Sequence, residues 1–113
     1  IDFVRARSYS GALSRGTVEL LVLPTTPLAG RRVLLIEDIL DTGRTTASIV
    51  DRLRLEKPVD IRICALLDKP MRRTAQVEPD YVGFEIGDQF VVGYGLDHDE
   101  QYRELPAIHA LEN

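Results

Sequence analysis

Two near-continuous apolar runs, residues 33–36 (VLLI) and 61–67 (IRICALL), flank a stretch of helical periodicity, and this arrangement constrains the fold more than any other feature. Residues 45–55 place Ile49, Val50, Leu53 and, more weakly, Ala47 on one helical face, leaving Asp51, Arg52, Arg54 and Glu56 for water. Pro58 then stops the helix. Runs that are apolar throughout, not alternating, read as strands covered on both faces. A strand, a helix and a second such strand form a right-handed crossover with the strands parallel in one sheet. The expected class is α/β. Residues 81–86 (YVGFEI) read as a third buried strand and residues 90–94 (FVVGY) as a weaker fourth. Residues 1–6 and 17–23 alternate enough to be strands, joined by a Ser-, Gly- and Arg-rich link, 7–16, that reads as a mobile hairpin loop.

Size and charge narrow the partners. With 113 residues, 44% hydrophobic and 28% charged, the chain is expected to form one domain over 1–113 with a modest core. It carries 18 acidic against 14 basic side chains, a net charge of −4, so no nonspecific grip on nucleic acid or anionic lipid is expected. Any anionic ligand must be held locally. The apolar runs fall far short of the roughly 20 residues of a membrane span. Residues 1–7 lack the apolar stretch of a signal peptide, so a cytoplasmic location is expected. Cys64, between Ile63 and Ala65, has no partner for an intrachain disulfide and reads as a small buried hydrophobe.

The chemistry concentrates in residues 33–46 (VLLIEDILDTGRTT), an apolar strand ending in Glu37 and Asp38 that turns through Asp41 into the helix. In open α/β sheets, ligands sit outside the carboxyl ends of the strands, and crowded carboxylates there call for a cation or hydroxyl donors. A sugar diol with a divalent cation suits them. Residues 41–46 add hydroxyls, a small turn residue and free N–H groups at a helix N-terminus, which together favour a phosphate. The patterns Gly-x-x-x-x-Gly-Lys-Ser/Thr and Gly-x-Gly-x-x-Gly are both absent, which disfavours ATP and dinucleotides. The plainer alternative is that Asp41 or Thr42 caps the helix, Gly43 relieves the turn, and Glu37 and Asp38 are solvated.

This segment resembles the phosphoribosyl-pyrophosphate (PRPP) signature of type I phosphoribosyltransferases. Residues 1–9 (IDFVRARSY), 66–70 (LLDKP) and 80–97 (DYVGFEIGDQFVVGYGLD) are similar to the corresponding parts of hypoxanthine-guanine phosphoribosyltransferases, in the family's order and across nearly the whole chain. The resemblance implies a parallel sheet with flanking helices, a mobile loop at about 7–17 and a PRPP motif at 33–46. It implies that Glu37 and Asp38 meet the ribose hydroxyls, and that with Asp97 they serve Mg²⁺. Asp41 would be the general base near purine N7, and Thr42, Gly43, Arg44 and Thr45 would form the 5′-phosphate loop. Arg44 is expected to act more through its backbone than its charge. Lys69 would donate to the purine 6-oxo group, which favours oxopurines over adenine. Phe90 would stack on the base, Val91 would offer backbone hydrogen bonds, and Arg103 would meet pyrophosphate. Ser8 and Tyr9 match the family's mobile-loop pair.

Each of these residues also has a bland reading: Lys69 as a solvated turn lysine, Phe90 and Val91 as core, Asp97 as a cap, Arg103 as surface. Neither His98 nor His109 has metal-ligand spacing with a partner, and neither is assigned a role. The implied reaction is Mg²⁺-dependent transfer of 5-phosphoribosyl from PRPP to hypoxanthine or guanine, giving IMP or GMP and pyrophosphate. The alternatives are a noncatalytic PRPP-sensing regulator and a xanthine-preferring transferase. Family members carry an N-terminal part not matched here, so the chain is expected to expose an apolar edge and face. It is also expected to need a homo-oligomer or the N-terminal part as its partner.

Overall fold

The computed structural model describes residues 1–9 and 17–111. In chain order these form β1 (Arg5–Tyr9), β2 (Thr17–Val22), β3 (Arg32–Leu40), α1 (Arg44–Arg54), β4 (Asp60–Asp68), a single 3-10 turn (Pro70–Arg72), β5 (Tyr81–Glu85), β6 (Val91–Val92) and β7 (His109–Ala110). The central sheet has the order β3-β4-β5, all parallel, with Arg32 opposite Asp60, Leu40 opposite Asp68 and Asp68 opposite Glu85. The apolar strand, helix and apolar strand thus make the parallel crossover that their patterning predicts. An antiparallel hairpin, β1-β2, and a short antiparallel pair, β6-β7, stand apart from this sheet.

The core lies beneath α1. Leu40, Val50, Ile63 and Ala65 form one cluster, and Leu28, Ile49 and Leu53 form a second, against which Val4, Ala6 and Leu20 pack from the hairpin side. Helix α1 ends where its periodicity does: the Lys57 N–H donates to the Arg54 carbonyl at 3.0 Å, and Lys57 takes a left-handed φ of 57° immediately before Pro58. Its N-cap residue is Gly43, which has no side chain to offer, and the Thr42 hydroxyl one residue earlier accepts the Arg44 N–H at 3.4 Å.

Several expectations are corrected. Strand β3 continues through Glu37 and Asp38 to Leu40, because its ladder with β4 extends beyond the apolar run. The two apolar strands are not covered on both faces; the sheet is covered on one face only, which agrees with the apolar face that the unmatched part of the family leads one to expect. Leu34 and Ile36 are 52% and 72% exposed, and Cys64, opposite Ile36, is only half-buried. Strand β5 is exposed along its whole length because it closes the sheet as an edge. In the 90–94 segment only Val91 and Val92 form a strand. They pair with β7 outside the sheet, since Gly93 and Gly95 turn the chain with φ of 93°. Residues 1–4 are not extended into a strand, because the Asp2 carboxylate accepts the N–H groups of Thr25 at 2.9 Å and Thr26 at 2.8 Å. Strand β1 instead runs into the expected loop, pairing Ser8 with Val18 and Tyr9 with Thr17. The rest of that loop, 10–16, lies outside the described residues.

One buried arginine ties the strand ends together. The Arg73 side chain is 7% exposed and ion-pairs with Asp68 at the end of β4. It also donates to the Asp41 carbonyl at 2.6 Å and to the Val77 carbonyl at 3.0 Å. Removing one partner of a buried pair leaves the other uncompensated. Arg73→Met is therefore expected to lower unfolding free energy by about 3–5 kcal/mol in urea titrations, with part of the loss recovered by adding Asp68→Asn. A second expectation concerns the open face. Replacing Leu34 and Ile36 together by Ser should reduce both dye binding to exposed apolar surface and self-association on gel filtration.

Candidate active site at the carboxyl end of the sheet

The turn between β3 and α1 is built around Gly43. Its φ is +82°, and a Cβ placed there would come within 2.5 Å of Val77 Cγ1. Only glycine suits both constraints. The turn is pinned by Thr74 and Ala75, whose N–H groups donate to the Thr42 carbonyl at 3.0 and 3.1 Å, and by Arg44 Nε, which donates to Thr74 Oγ1 at 3.2 Å. The N-terminus of α1 has no acidic residue in its first turn, which leaves the positive end of its dipole available to an anion.

Glu37 and Asp38 are not brought side by side. Successive strand residues face opposite ways. Glu37 is half-buried toward α1, where Thr46 Oγ1 donates to it at 3.1 Å, whereas Asp38 is exposed and accepts the Ile39 N–H at 2.7 Å. Burial pushes the Glu37 carboxyl above the ordinary glutamate range. The Thr46 hydrogen bond opposes that shift, and the charge of Asp38 adds to it.

Beside this turn opens a cleft of 440 Å³, lined by Ile39, Asp41, Lys69, Arg72, Asp88, Phe90, Val91, Leu96 and Asp97. Lys69 is only 7% exposed, so it is not the solvated turn lysine of the plain reading, and its backbone N–H donates to the Leu40 carbonyl at 2.9 Å. Phe90 is 52% exposed and meets His98 edge-on, with ring centroids 5.2 Å apart; it is not core. Val91 beside it is buried. Asp97 pairs with Arg103 at 3.3 Å and accepts the Glu100 N–H at 2.8 Å, so these two residues engage each other. A larger hollow of 660 Å³ lies at the opposite end of the strands, around Arg32, Val59 and Asp60, away from all of these groups.

The cleft thus gathers Asp41, Lys69, Phe90, Val91 and Asp97. Glu37, Asp38 and residues 42–45 do not line it, and Asp41 is the link between the two regions. Ser8 sits on β1, on the hairpin, and does not line the cleft; Tyr9 ends that strand. Arg72 and Asp88 do line it, and sequence reasoning missed both. Arg72 Nε donates to Asp41 Oδ1 at 2.6 Å, and its NH1 donates to Asp88 Oδ1 at 3.0 Å. No local periodicity connects residues 31 and 16 positions apart, so only the fold reveals this link.

Comparison with known proteins shows the family and the fold. The model of the family described as "Phosphoribosyl transferase domain" matches residues 1–99. Hypoxanthine-guanine phosphoribosyltransferase of Bacillus subtilis is 45% identical over 113 residues, covering 99% of this chain and 63% of the relative. Hypoxanthine phosphoribosyltransferase of Escherichia coli is 43% identical over 109 residues, covering 96% of this chain and 61% of the relative. The crystal structure of a hypoxanthine phosphoribosyltransferase from Staphylococcus aureus superposes with a TM-score of 0.90 at 46% identity, covering 98% of this chain and 61% of that one. The chain therefore spans a little over three-fifths of the length of these relatives. A parallel crossover sheet, a glycine turn opening onto a helix N-terminus, and a family match over residues 1–99 together place the chain in the phosphoribosyl transferase domain family.

Proposed function

We propose that this chain carries the phosphoribosyl- and purine-binding face of a hypoxanthine-guanine phosphoribosyltransferase acting in cytoplasmic purine salvage. The observation that carries this reading is the cleft, which unites a carboxylate (Asp41), a buried lysine (Lys69) and an exposed aromatic ring (Phe90) drawn from three separate segments. The names of the relatives support the substrate class.

In this reading the bond from ribose C1′ to the pyrophosphate oxygen of PRPP breaks, and a bond from C1′ to purine N9 forms. The purine gives up a proton, which Asp41 accepts near N7. Lys69 donates to the 6-oxo group, Phe90 stacks on the ring, and the Val91 backbone meets the purine edge. The N-terminus of α1, with Thr42, Gly43, Arg44 and Thr45, receives the 5′-phosphate, and Glu37 and Asp38 receive the ribose hydroxyls. Arg103 receives the released pyrophosphate, and Ser8 and Tyr9 belong to the loop that closes over the reaction centre.

The donor set is compatible with Mg²⁺. The described residues contain no group of three acidic, His or Cys side chains able to hold a metal unaided. Mg²⁺ commonly takes only one or two carboxylates and completes its shell with substrate phosphates and water. Asp97, Glu37 and Asp38 supply hard oxygen donors of that kind, and the ion, when bound, neutralises charge on the leaving pyrophosphate. The uncovered apolar face is proposed to pack against further polypeptide, either a second copy or segments of the length that the relatives have beyond this match.

The direct test is IMP formation from PRPP, Mg²⁺ and hypoxanthine, with guanine and xanthine run in parallel. Asp41→Asn is expected to lower kcat by about 10²–10⁴-fold. Undiminished turnover would remove Asp41 from its role as base; PRPP binding without any turnover would leave a severed half-enzyme or a sensor, and adding back a family-like N-terminal part decides between them. Glu37 supplies a second prediction. Its raised pKa means the folded state favours the neutral acid, so its contribution to stability is complete below the ordinary glutamate range and is lost as pH rises through the raised value. Glu37→Gln should therefore raise Tm at pH 7, leave it unchanged below about pH 4, and weaken PRPP binding.

A further inference from the structure

The cleft contains one cation that the proposed reaction does not use. Arg72 stands on the 3-10 turn that follows Lys69 and spans two carboxylates, with Nε on Asp41 Oδ1 at 2.6 Å and NH1 on Asp88 Oδ1 at 3.0 Å. Both carboxylates push its pKa further above the ordinary arginine value, Asp41 foremost. Resting on the reading above, we infer that Arg72 is a positioning residue for Asp41, and that Asp88 aims Arg72.

The geometry gives each atom a task. Arg72 occupies Oδ1 of Asp41, and among the described residues Oδ2 has no hydrogen-bond donor, which leaves it as the oxygen available to a purine proton. The Asp41 backbone is fixed independently, its carbonyl accepting Arg73 NH1 at 2.6 Å. The carboxylate is thus held from two directions, as a group acting on a substrate proton must be. Asp88 lies two residues before Phe90, so the same guanidinium ties the acid to the segment that carries the stacking ring. A planar two-armed fork can serve both carboxylates in a fixed relation, whereas a lysine ammonium supplies charge without that orientation.

Arg72 is about half exposed, so replacing it should leave the fold intact, which a urea midpoint verifies. The test pairs kinetics with NMR on the full chain. With ¹⁵N-arginine labelling, a slowly exchanging Arg72 Nε–H resonance is expected, lost in Asp41→Asn and weakened in Asp88→Asn. In IMP formation, Arg72→Ala should lower kcat at least about tenfold with KM for PRPP within about twofold, and Asp88→Asn should lower it less. Arg72→Lys should recover only part of the loss, and Arg72→Ala should add nothing to Asp41→Asn. Full recovery by lysine, additive losses, or kcat unchanged in Arg72→Ala would overturn the positioning role. If the chain forms no IMP even when the further length found in its relatives is supplied, the reading of the reaction fails and the catalytic role of Arg72 fails with it. If the parent is active but the resonance persists in Asp41→Asn, only the Arg72 inference falls.

Discussion

The buried Arg73 holds the functional end of this molecule together. Its guanidinium compensates Asp68, which is 5% exposed at the tip of β4, and its remaining donors reach the carbonyls of Leu40, Asp41 and Val77. A charge taken from water needs this full set of partners, and here the partners come from the ends of two strands and the connection between β4 and β5. The tips of β3 and β4 are therefore fixed relative to each other by more than their ladder. Everything placed on those tips inherits that rigidity: Asp41 and the glycine turn on one side, Lys69 and Arg72 on the other.

Around this anchor, consecutive residues of the 72–75 segment each grip the β3–α1 turn differently. Arg72 takes the Asp41 side chain, Arg73 its carbonyl, and the N–H groups of Thr74 and Ala75 take the Thr42 carbonyl. A region suited to a phosphate and a region suited to a flat base are thereby joined by short, mostly backbone links. The proposed transfer between two substrates requires such a fixed distance, because misplacement of either one by an ångström costs reactivity.

The crossover unit was legible because uninterrupted apolar strands and a 3.6-residue period are local signals, and Ile49, Val50 and Leu53 do face the core. The acidic turn was legible for the same reason, since its residues are contiguous. What escaped was non-local. Leu34 and Ile36 have the same apolar character whether their own chain or another covers them, so the open face was expected from the resemblance and not from the pattern of those residues. Glu37 and Asp38 suggested a turn, yet pairing with β4 kept the chain extended and sent the two carboxylates to opposite sides. The burial of Lys69 and the bridge from Asp41 through Arg72 to Asp88 exist only once the strand ends converge. The resemblance located Lys69 and Phe90, which periodicity alone leaves as an ordinary turn lysine and a core ring.

Helix α1 begins on a glycine in a left-handed conformation, and among the described residues the one side chain that meets its first amides is the Thr42 hydroxyl, which accepts the Arg44 N–H at a long 3.4 Å. Most helices meet that need internally, at a gain of about 1 kcal/mol. Here one long bond meets it only in part, which makes any anion seated there a component of the helix as well as a ligand. By mass action, the population of the well-ordered state then rises with the concentration of that anion. The empty protein and one holding such an anion would differ in this respect as two points on one folding equilibrium, and an abundant ligand of that kind would act on the chain as its stabiliser.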